Sequence, residues 1–409
     1  MVIVSGANTS ITDSTIPEQI KEYHFNTDSA INQYLSVLTP EEKEKSDGYF
    51  EGGYWLILIE FLVVLIIAWV FLSFGLSKWI KRIVFKFKNV NVRNLFYTVF
   101  YFLFAYLLSF PLNIYVSFFR EHKYGLSNMN FGEWLTEDLI GLVLLLIAGS
   151  LLIMGLYIAI RKVQKNWWIW GSSVLTLFLV LMIFIAPVFI SPLFNEYKPL
   201  EEGKIKDEIL SMARANGVPA KNVYQFDASK QSNRISANVS GIGSTIRISL
   251  NDNLLNQCSL EEIKAVMAHE LGHYVLNHIY EMIIYFSIII FIGFAFINWV
   301  FKKAIAKYGK KWKIDGLSDI GGLPLFILLF SFYFLIATPV TNNIIRSNEV
   351  EADYFGLNTA REPDGFASVA MKLSTYRKIN PGKFEEFIFF DHPSGKSRVT
   401  IAMQWKSEH

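Results

Sequence analysis

Long apolar blocks alternate with polar segments along this chain of 409 residues. A transmembrane helix needs about 20 predominantly apolar residues to cross about 30 Å of hydrocarbon. Hydrophobic residues make up 52% of the chain and are concentrated in the blocks. The pattern therefore predicts a mainly α-helical, polytopic membrane protein. Six stretches are expected to form transmembrane helices, at about 54–77, 95–118, 138–160, 167–190, 279–301 and 322–345.

The polar segments divide the chain into five parts. We expect a polar N-terminal segment (1–53), four transmembrane helices (54–190), a first large polar segment (191–278), two transmembrane helices (279–345) and a second large polar segment (346–409). In the polar segment 191–278, Val223–Phe226 and Thr245–Leu250 are rich in β-forming residues and bounded by turn residues, which predicts strands. The polar run Ser236–Gly241 between them is either an edge that receives an extended peptide or an ordinary loop.

Basic side chains cluster in three of the loops between spans. They are Lys78, Lys81, Arg82, Lys86, Lys88 and Arg93 after the first span, Arg161, Lys162 and Lys165 after the third, and Lys302, Lys303, Lys307, Lys310, Lys311 and Lys313 after the fifth. The positive-inside rule puts these loops in the cytoplasm and both large polar segments on the other side. Because the basic residues lie in short loops, the net charge of +2 gives no sign of a nucleic-acid partner. The single cysteine, Cys258, excludes an internal disulfide.

The strongest chemical signal is the run His269–His273, which reads H-E-x-x-H. On a helix, residues four apart share one face, so His269 and His273 can direct two imidazoles at one metal ion. Glu270 lies beside them, where a carboxylate can polarise a metal-bound water. Ser259 and Glu262 form a capping box, which predicts a helix that continues to His278. The alternative is a histidine pair on a solvated or core face, but three of the seven histidines lie within the ten residues His269–His278.

A third ligand is expected outside this run, because the longer metzincin pattern is absent. Glu349 and Asp353 are also four apart, just after the last span. A glutamate on a second helix would complete a His₂Glu zinc site with its fourth position left to water, and Asp353 could hold a histidine ring. Glu351 is the rival ligand by position, but it points roughly 160° away from the face of Glu349 and Asp353. Without the histidine motif, a solvent-exposed acidic helix would be the preferred interpretation.

Several separated stretches together resemble the type I CAAX prenyl endopeptidases, integral-membrane zinc proteases that are distantly related to the bacterial stress protease HtpX. They run in the family's order from about residue 190 to the C-terminus. The matching stretches are Pro192–Asn195, Tyr197–Leu200, the region around Asn238, His269–His273, Glu349–Asp353 and Asp391–Pro393 followed by Arg398.

The resemblance implies a role for each matching residue. It implies a gluzincin-like α+β protease domain split around the last two spans, and spans that enclose a chamber. One zinc ion per chain would be ligated by His269, His273 and Glu349, with Glu270 as general base. Asp353 would hold a ligand histidine, His392 would stabilise the oxyanion, and Arg398 would hold that region in place. The edge strand that receives substrate would comprise Asn238, Val239, Ser240 and Gly241.

The sequence departs from the family in two respects. Family members usually have seven spans, so residues 1–53 resemble the loop after a first helix that this chain lacks. The eukaryotic relatives work facing the cytosol, whereas the basic loops here put the active site on the non-cytoplasmic side. We expect a protein of the bacterial inner (cell) membrane with that orientation, and keep the cytoplasmic orientation as the alternative.

The predicted function is zinc-dependent hydrolysis, at the bilayer, of extended or membrane-associated peptides with or without a lipid modification. One alternative is an HtpX-like protease for quality control of membrane proteins. Another is a polytopic transporter or binding protein with a structural zinc, although structural zinc sites are normally closed by a fourth protein ligand. A catalytically inactive relative is a third. The sequence leaves the oligomeric state and the natural substrate open.

Overall fold

A computed structural model of the chain describes residues 25–241 and 246–409. The sequence of the N-terminal segment also predicts a short helix near residues 16–37, and the N-terminal part of that helix lies outside the described residues. The described helices are α1 (Thr27–Leu35), α2 (Pro40–Ser73), α3 (Leu76–Val84), α4 (Val90–Ile114), α5 (Arg120–Lys123), α6 (Phe131–Leu144), α7 (Ser150–Val163), α8 (Trp167–Ile185), α9 (Lys204–Ala215), α10 (Asp252–Gln257), α11 (Leu260–Val275), α12 (His278–Trp312), α13 (Leu323–Ala360), α14 (Pro363–Leu373), α15 (Lys383–Phe389) and α16 (Gly395–Glu408).

Five helical stretches of the described residues are long and apolar enough to cross a membrane. They are Pro40–Ser73, Val90–Lys123, Phe131–Leu193, His278–Trp312 and Ile320–Ala360. The third contains two of the predicted spans, and its regular helix is interrupted at Gln164, which has a φ of 46°. Gly155 and Val174, on either side of this interruption, lie against each other, so α7 and α8 pack side by side. The mainly helical membrane architecture is confirmed, whereas the count of six spans and an enclosed chamber remain predictions.

The membrane helices expose large apolar side chains that only a lipid environment accommodates. Leu62 and Ile66 of α2 and Leu177 and Leu181 of α8 are all more than two fifths exposed. Contiguous apolar surface on this scale is rare on soluble monomers. Aromatic residues pack in the interior of the bundle, where Trp167 contacts Phe294 and Phe326.

Two membrane helices continue without a break into the polar regions. The predicted boundary between residues 53 and 54 falls inside α2, which begins at Pro40 with the capping box of Thr39 and Glu42. The boundary between 345 and 346 falls inside α13, which ends at Ala360. Because α13 is one continuous helix, the packing of its apolar part helps to position the residues at its far end.

The described strands form one mixed sheet in the order β1-β2-β4-β3. Its strands are β1 (Tyr197–Pro199), β2 (Val223–Phe226), β3 (Ala237–Ser240) and β4 (Arg247–Asn251). The strands predicted at 223–226 and 245–250 are confirmed as β2 and β4, which pair in parallel. Between them in sequence, β3 pairs antiparallel with β4. It therefore lies at the edge of the sheet, and its outer side has no strand partner among the described residues.

The prediction that one continuous helix reaches His278 was wrong, because the helix ends about one turn earlier. The helix α11 begins at the capping box of Ser259 and Glu262 as predicted, but it ends at Val275. Asn277 adopts a left-handed conformation with a φ of 62°, and α12 then begins at His278. Asparagine tolerates this region better than most residues, so the chain changes direction between α11 and the membrane helix.

Candidate active site

The backbones of α11 and α13 approach each other closely at two glycines. A Cβ on Gly272 would lie 3.3 Å from Cα of Ala352, and a Cβ on Gly356 would lie 3.0 Å from the backbone N of His269. Both distances are shorter than an ordinary van der Waals contact between a Cβ and backbone. Gly272 is therefore explained by this helix crossing, which brings the H-E-x-x-H face of α11 against the face of α13 that carries Glu349 and Asp353.

Side chains from the two helices converge on one point. Nε2 of His269 and Nε2 of His273 are 3.1 Å apart. The Glu349 carboxylate lies 3.3 Å from each of these nitrogens, through Oε2 for His269 and Oε1 for His273. Their ligand atoms can thus surround a single metal ion. All three side chains are largely buried.

The ring of His269 is held from its other side. Its Nδ1 lies 2.8 Å from Oδ1 of Asp353, a carboxylate with no solvent exposure. Arg398 of α16 donates from Nε to Oδ2 of Asp353 and from Nη2 to Oε2 of Glu349, both at 3.0 Å. With a metal ion bound, the proton of the neutral His269 ring would be on Nδ1, beside Asp353, and Nε2 would present its lone pair to the ion.

The ring of His273 has a partner that the motif did not reveal. Its Nδ1 lies 2.9 Å from Nδ1 of His278, and Nε2 of His278 lies 3.6 Å from Glu351. A continuous helix would place His278 five residues, or roughly 140°, around from His273. The break at Asn277 instead places the His278 ring next to that of His273. The only feature of the sequence that pointed to His278 was its closeness to His273 along the chain. Glu351, the rival ligand, pairs with His278 and does not join the ligand cluster.

His392 approaches Glu349 from a third part of the chain. It belongs to the segment between α15 and α16, and its Nε2 is 3.4 Å from Oε2 of Glu349. Its Nδ1 is 2.8 Å from Oδ1 of Asp391, which fixes the ring orientation. With Nδ1 donating to this carboxylate, Nε2 faces the cluster and the cavity beside it.

A cavity of about 180 Å³ opens beside the cluster. Glu270 lines it together with His269, Glu349 and His392, and β3 contributes Ala237. Burial raises the pKa of Glu270 above its usual range, against the opposing effect of the neighbouring histidines. This places a carboxylate of increased basicity next to the point where the ligand atoms meet.

The electrostatics of the cluster favour a cation. Burial alone lowers the pKa of His269, but its hydrogen bonds to Asp353 and Glu349 outweigh that effect and raise the pKa to about 10. The positive charge of Arg398 is held by the same two carboxylates, which raise its pKa in spite of burial. The two carboxylates thus favour positive charge at the point where the histidine nitrogens meet.

The predicted substrate strand lies along one side of this site. Its residues Val239, Ser240 and Gly241 line a second cavity of about 590 Å³, which also contains His273. That cavity reaches the membrane helices at Ile183 and Met282. Asn238 lies between the two cavities and pairs with Ser249 of β4. The strand therefore runs from one cavity to the other, past the metal-ligand cluster.

Comparison with known proteins agrees over nearly the whole chain. Residues 199–406 match the model of peptidase family M48, and residues 16–196 match the model described as CAAX prenyl protease N-terminal, five membrane helices. The chain is 27% identical to the uncharacterized metalloprotease YhfN of Bacillus subtilis, over 95% of this chain and 90% of that protein. It is 34% identical to CAAX prenyl protease 1 of Saccharomyces cerevisiae, over 74% of this chain and 70% of that protein.

The fold is shared with a solved structure. The crystal structure of Ste24p from S. mikatae superimposes with a TM-score of 0.75 at 24% sequence identity, covering 92% of this chain and 94% of that one. The family models and the sequence relatives confirm the predictions of a metalloprotease and of a multi-pass membrane protein. The M48 model matches the part of the chain that carries the cluster of His269, His273 and Glu349. The chain belongs to peptidase family M48, and it is an integral-membrane metalloprotease.

Proposed function

We propose that this chain is a zinc-dependent endopeptidase whose ion is ligated by His269, His273 and Glu349. The observation that carries the proposal is the spacing of the three donor atoms. Zinc binds nitrogen and oxygen at about 2.0–2.2 Å in tetrahedral geometry, which separates its ligand atoms by about 3.3 Å. The observed separations are 3.1, 3.3 and 3.3 Å. Two histidines and one carboxylate leave the fourth position open, as in catalytic zinc sites.

The residues around the ligands fit the chemistry of peptide hydrolysis. A zinc ion held by His269, His273 and Glu349 would act as a Lewis acid, which would lower the pKa of water to about 7 and polarise the scissile carbonyl. Glu270 accepts the proton of the attacking water, and it later returns that proton to the leaving amine. His392 donates from Nε2 to the carbonyl oxygen as negative charge develops on it. Because Nδ1 already donates to Asp391, this donation requires the ring to carry a proton on both nitrogens.

Asp353 and Arg398 act on the ligands rather than on the substrate. Asp353 holds the ring of His269 through Nδ1, and Arg398 connects Asp353 to Glu349. Such hydrogen bonds fix the orientation of metal ligands and increase their basicity. The ligand set is thus held in place by groups from α13 and α16.

The substrate is an extended or membrane-associated peptide. Main-chain pairing to the open edge of β3, at Asn238–Gly241, would draw a peptide past the ligand cluster. The second cavity along this strand has Ile183 and Met282 in its wall, which suits an apolar or membrane-embedded residue of the substrate. An HtpX-like role in quality control uses the same chemistry. Comparing misfolded membrane proteins with short lipidated peptides as substrates would separate the two roles.

Cleavage of a quenched peptide mixture by the purified protein in detergent tests the chemistry. Glu270→Gln is expected to bind as much zinc as the wild type and to lose about 10²–10⁴-fold in rate. Glu261→Gln, an exposed position on the same helix, serves as the control and should retain full activity. Full turnover by Glu270→Gln would exclude this base, and wild-type protein without bound zinc would refute the metal assignment.

The proposed location is a bacterial cell membrane with the active site on its non-cytoplasmic side. The basic loops support this orientation, and the Bacillus relative supports a bacterial setting. Single cysteines placed at Lys88 and Lys221, after replacement of Cys258 by serine, report the side of each exposed position. We expect an impermeant maleimide to label Lys221→Cys in intact cells and to leave Lys88→Cys unlabelled. The reverse pattern would establish the cytoplasmic orientation.

A further inference from the structure

Arg377 places a guanidinium in the wall of the active-site cavity. The same cavity is lined by His269, Glu270 and His392. Arg377 lies in the segment between α14 and α15, whose backbone is tied to α2. The buried hydroxyl of Ser46 donates to the carbonyls of Ser374 and Arg377, at 2.7 and 3.0 Å. The backbone of this arginine is therefore anchored independently of its side chain.

The guanidinium of Arg377 makes no hydrogen bond or ion pair with the residues that the structure describes. The basic residue next to it behaves differently, because Lys378 pairs with both Glu51 and Glu385. The nearest acidic groups are already engaged. Asp391 binds His392, and Glu349 binds Arg398 and the ligand histidines.

This arrangement is unfavourable for a charge that is largely removed from solvent. Burial, followed by the like charge of Arg398, lowers the pKa of Arg377. A desolvated charge without a partner destabilises a protein, and arginine prefers the planar, bidentate geometry of a carboxylate. The cavity therefore contains a cation that a ligand carboxylate would complement.

We propose that Arg377 binds a carboxylate of the peptide substrate and makes the site select for it. The proposal rests on the peptidase function proposed above. Every unmodified linear peptide carries one carboxylate at its C-terminus, and acidic side chains carry the same group within the chain. Binding to Arg377 would fix the distance from that carboxylate to the scissile bond, because Arg377 and Glu270 line one small cavity.

Two matched peptide pairs test the proposal and distinguish the two sources. The first pair has no acidic side chain and differs only in a free or an amidated C-terminus. The second pair is amidated and differs only in an internal aspartate or asparagine. The wild type should cleave the carboxylate-bearing member of one pair at least tenfold faster in kcat/KM. The pair that shows the preference identifies the source of the carboxylate.

Variants of Arg377 should remove this preference without removing the chemistry. Arg377→Gln should cleave the carboxylate-bearing peptide no faster than its neutral partner. It should cleave the neutral partner at the wild-type rate. Arg377→Lys should restore part of the preference. The control is Lys383→Gln, an exposed basic position of the same region, which should retain it fully. Equal slowing of both members of a pair, or a wild type that prefers neither carboxylate, would overturn the proposal.

A binding measurement separates this proposal from the proposed function. Fluorescently labelled peptides of the same pairs are titrated into Glu270→Gln and into Glu270→Gln/Arg377→Gln. The carboxylate-bearing peptide should bind at least tenfold more weakly to the double variant, and the neutral peptide should bind both equally. If the wild type cleaves none of the peptides, the peptidase proposal fails for them, and the titration still decides whether Arg377 binds carboxylate. Equal affinity of the two variants for every peptide would refute the role of Arg377.

Discussion

Nδ1 of His273 lies 2.9 Å from Nδ1 of His278, the first residue of the membrane helix α12. His278 is buried, and its other ring nitrogen faces Glu351. One ring nitrogen of the proposed zinc ligand His273 is thereby connected to a helix that crosses the membrane. His269 is held in a similar way, but by the carboxylate of Asp353.

His278→Ala should weaken zinc binding. Loss of a group that orients a metal ligand typically reduces metal affinity by about 10–100-fold. We expect a loss of this size, measured by competition with a chromophoric chelator. His409→Ala removes an exposed histidine at the C-terminus and should leave the affinity unchanged. Unchanged affinity in His278→Ala would show that His273 does not depend on this contact.

Gly356→Ala should disturb the ligand cluster through the backbone. The added methyl group would meet the backbone N and Cα of His269 at 3.0 and 3.2 Å, which forces α11 and α13 apart. Overpacking of this kind costs about 1–3 kcal/mol, and we expect both a lower Tm and weaker zinc binding. Gly316→Ala is the matched control, because nothing lies within 4 Å of its added carbon. A wild-type zinc affinity in Gly356→Ala would show that the crossing is more tolerant than its geometry indicates.

His392→Gln should slow catalysis without removing zinc. Its Nε2 is proposed to donate to the developing oxyanion, and loss of one such donor costs about 10²–10³-fold in kcat. Zinc content should equal that of the wild type, because His392 is not among the proposed ligands. A decrease in zinc content that accompanies the loss of activity would contradict the assigned role and indicate a structural one.

Glu262→Gln should destabilise the helix that carries the proposed metal ligands, in a manner that depends on pH. Glu262 completes the cap of α11 and also accepts from Ser368 and Lys372, each at 2.6 Å. Burial raises the pKa of Glu262, but these hydrogen bonds outweigh it and lower the pKa below 4.5. The carboxylate therefore stabilises the fold fully above about pH 4.5, by about 2 kcal/mol.

This stabilisation is lost as the pH falls through the lowered pKa of the folded state. The difference in Tm between wild type and Glu262→Gln should accordingly be largest near neutral pH and shrink in acid. Glu408→Gln, an exposed glutamate near the C-terminus, should show little difference at any pH. A difference that grows on acidification would contradict the assigned ion pair with Lys372.

The sequence by itself determined the features that depend on neighbouring residues. Apolar blocks of sufficient length predicted a polytopic membrane protein, and the four-residue spacing of His269 and His273 predicted a shared helix face. The capping box at Ser259 predicted the start of α11 correctly. These signals are local, because helix periodicity, caps and the length needed to cross a bilayer are encoded within a few turns of chain.

Only the tertiary structure decided how residues that are distant in sequence, or separated by a helix break, come into contact. Glu349 follows His273 by more than 70 residues, and the resemblance suggested its role, but the crossing of α11 and α13 at Gly272 and Gly356 explains its position. The left-handed residue Asn277 brings His278 back to His273, where helix periodicity alone predicted divergence. Arg377 carries no motif. Its place in the cavity depends on the anchoring of its segment to Ser46, a contact between parts of the chain more than 300 residues apart.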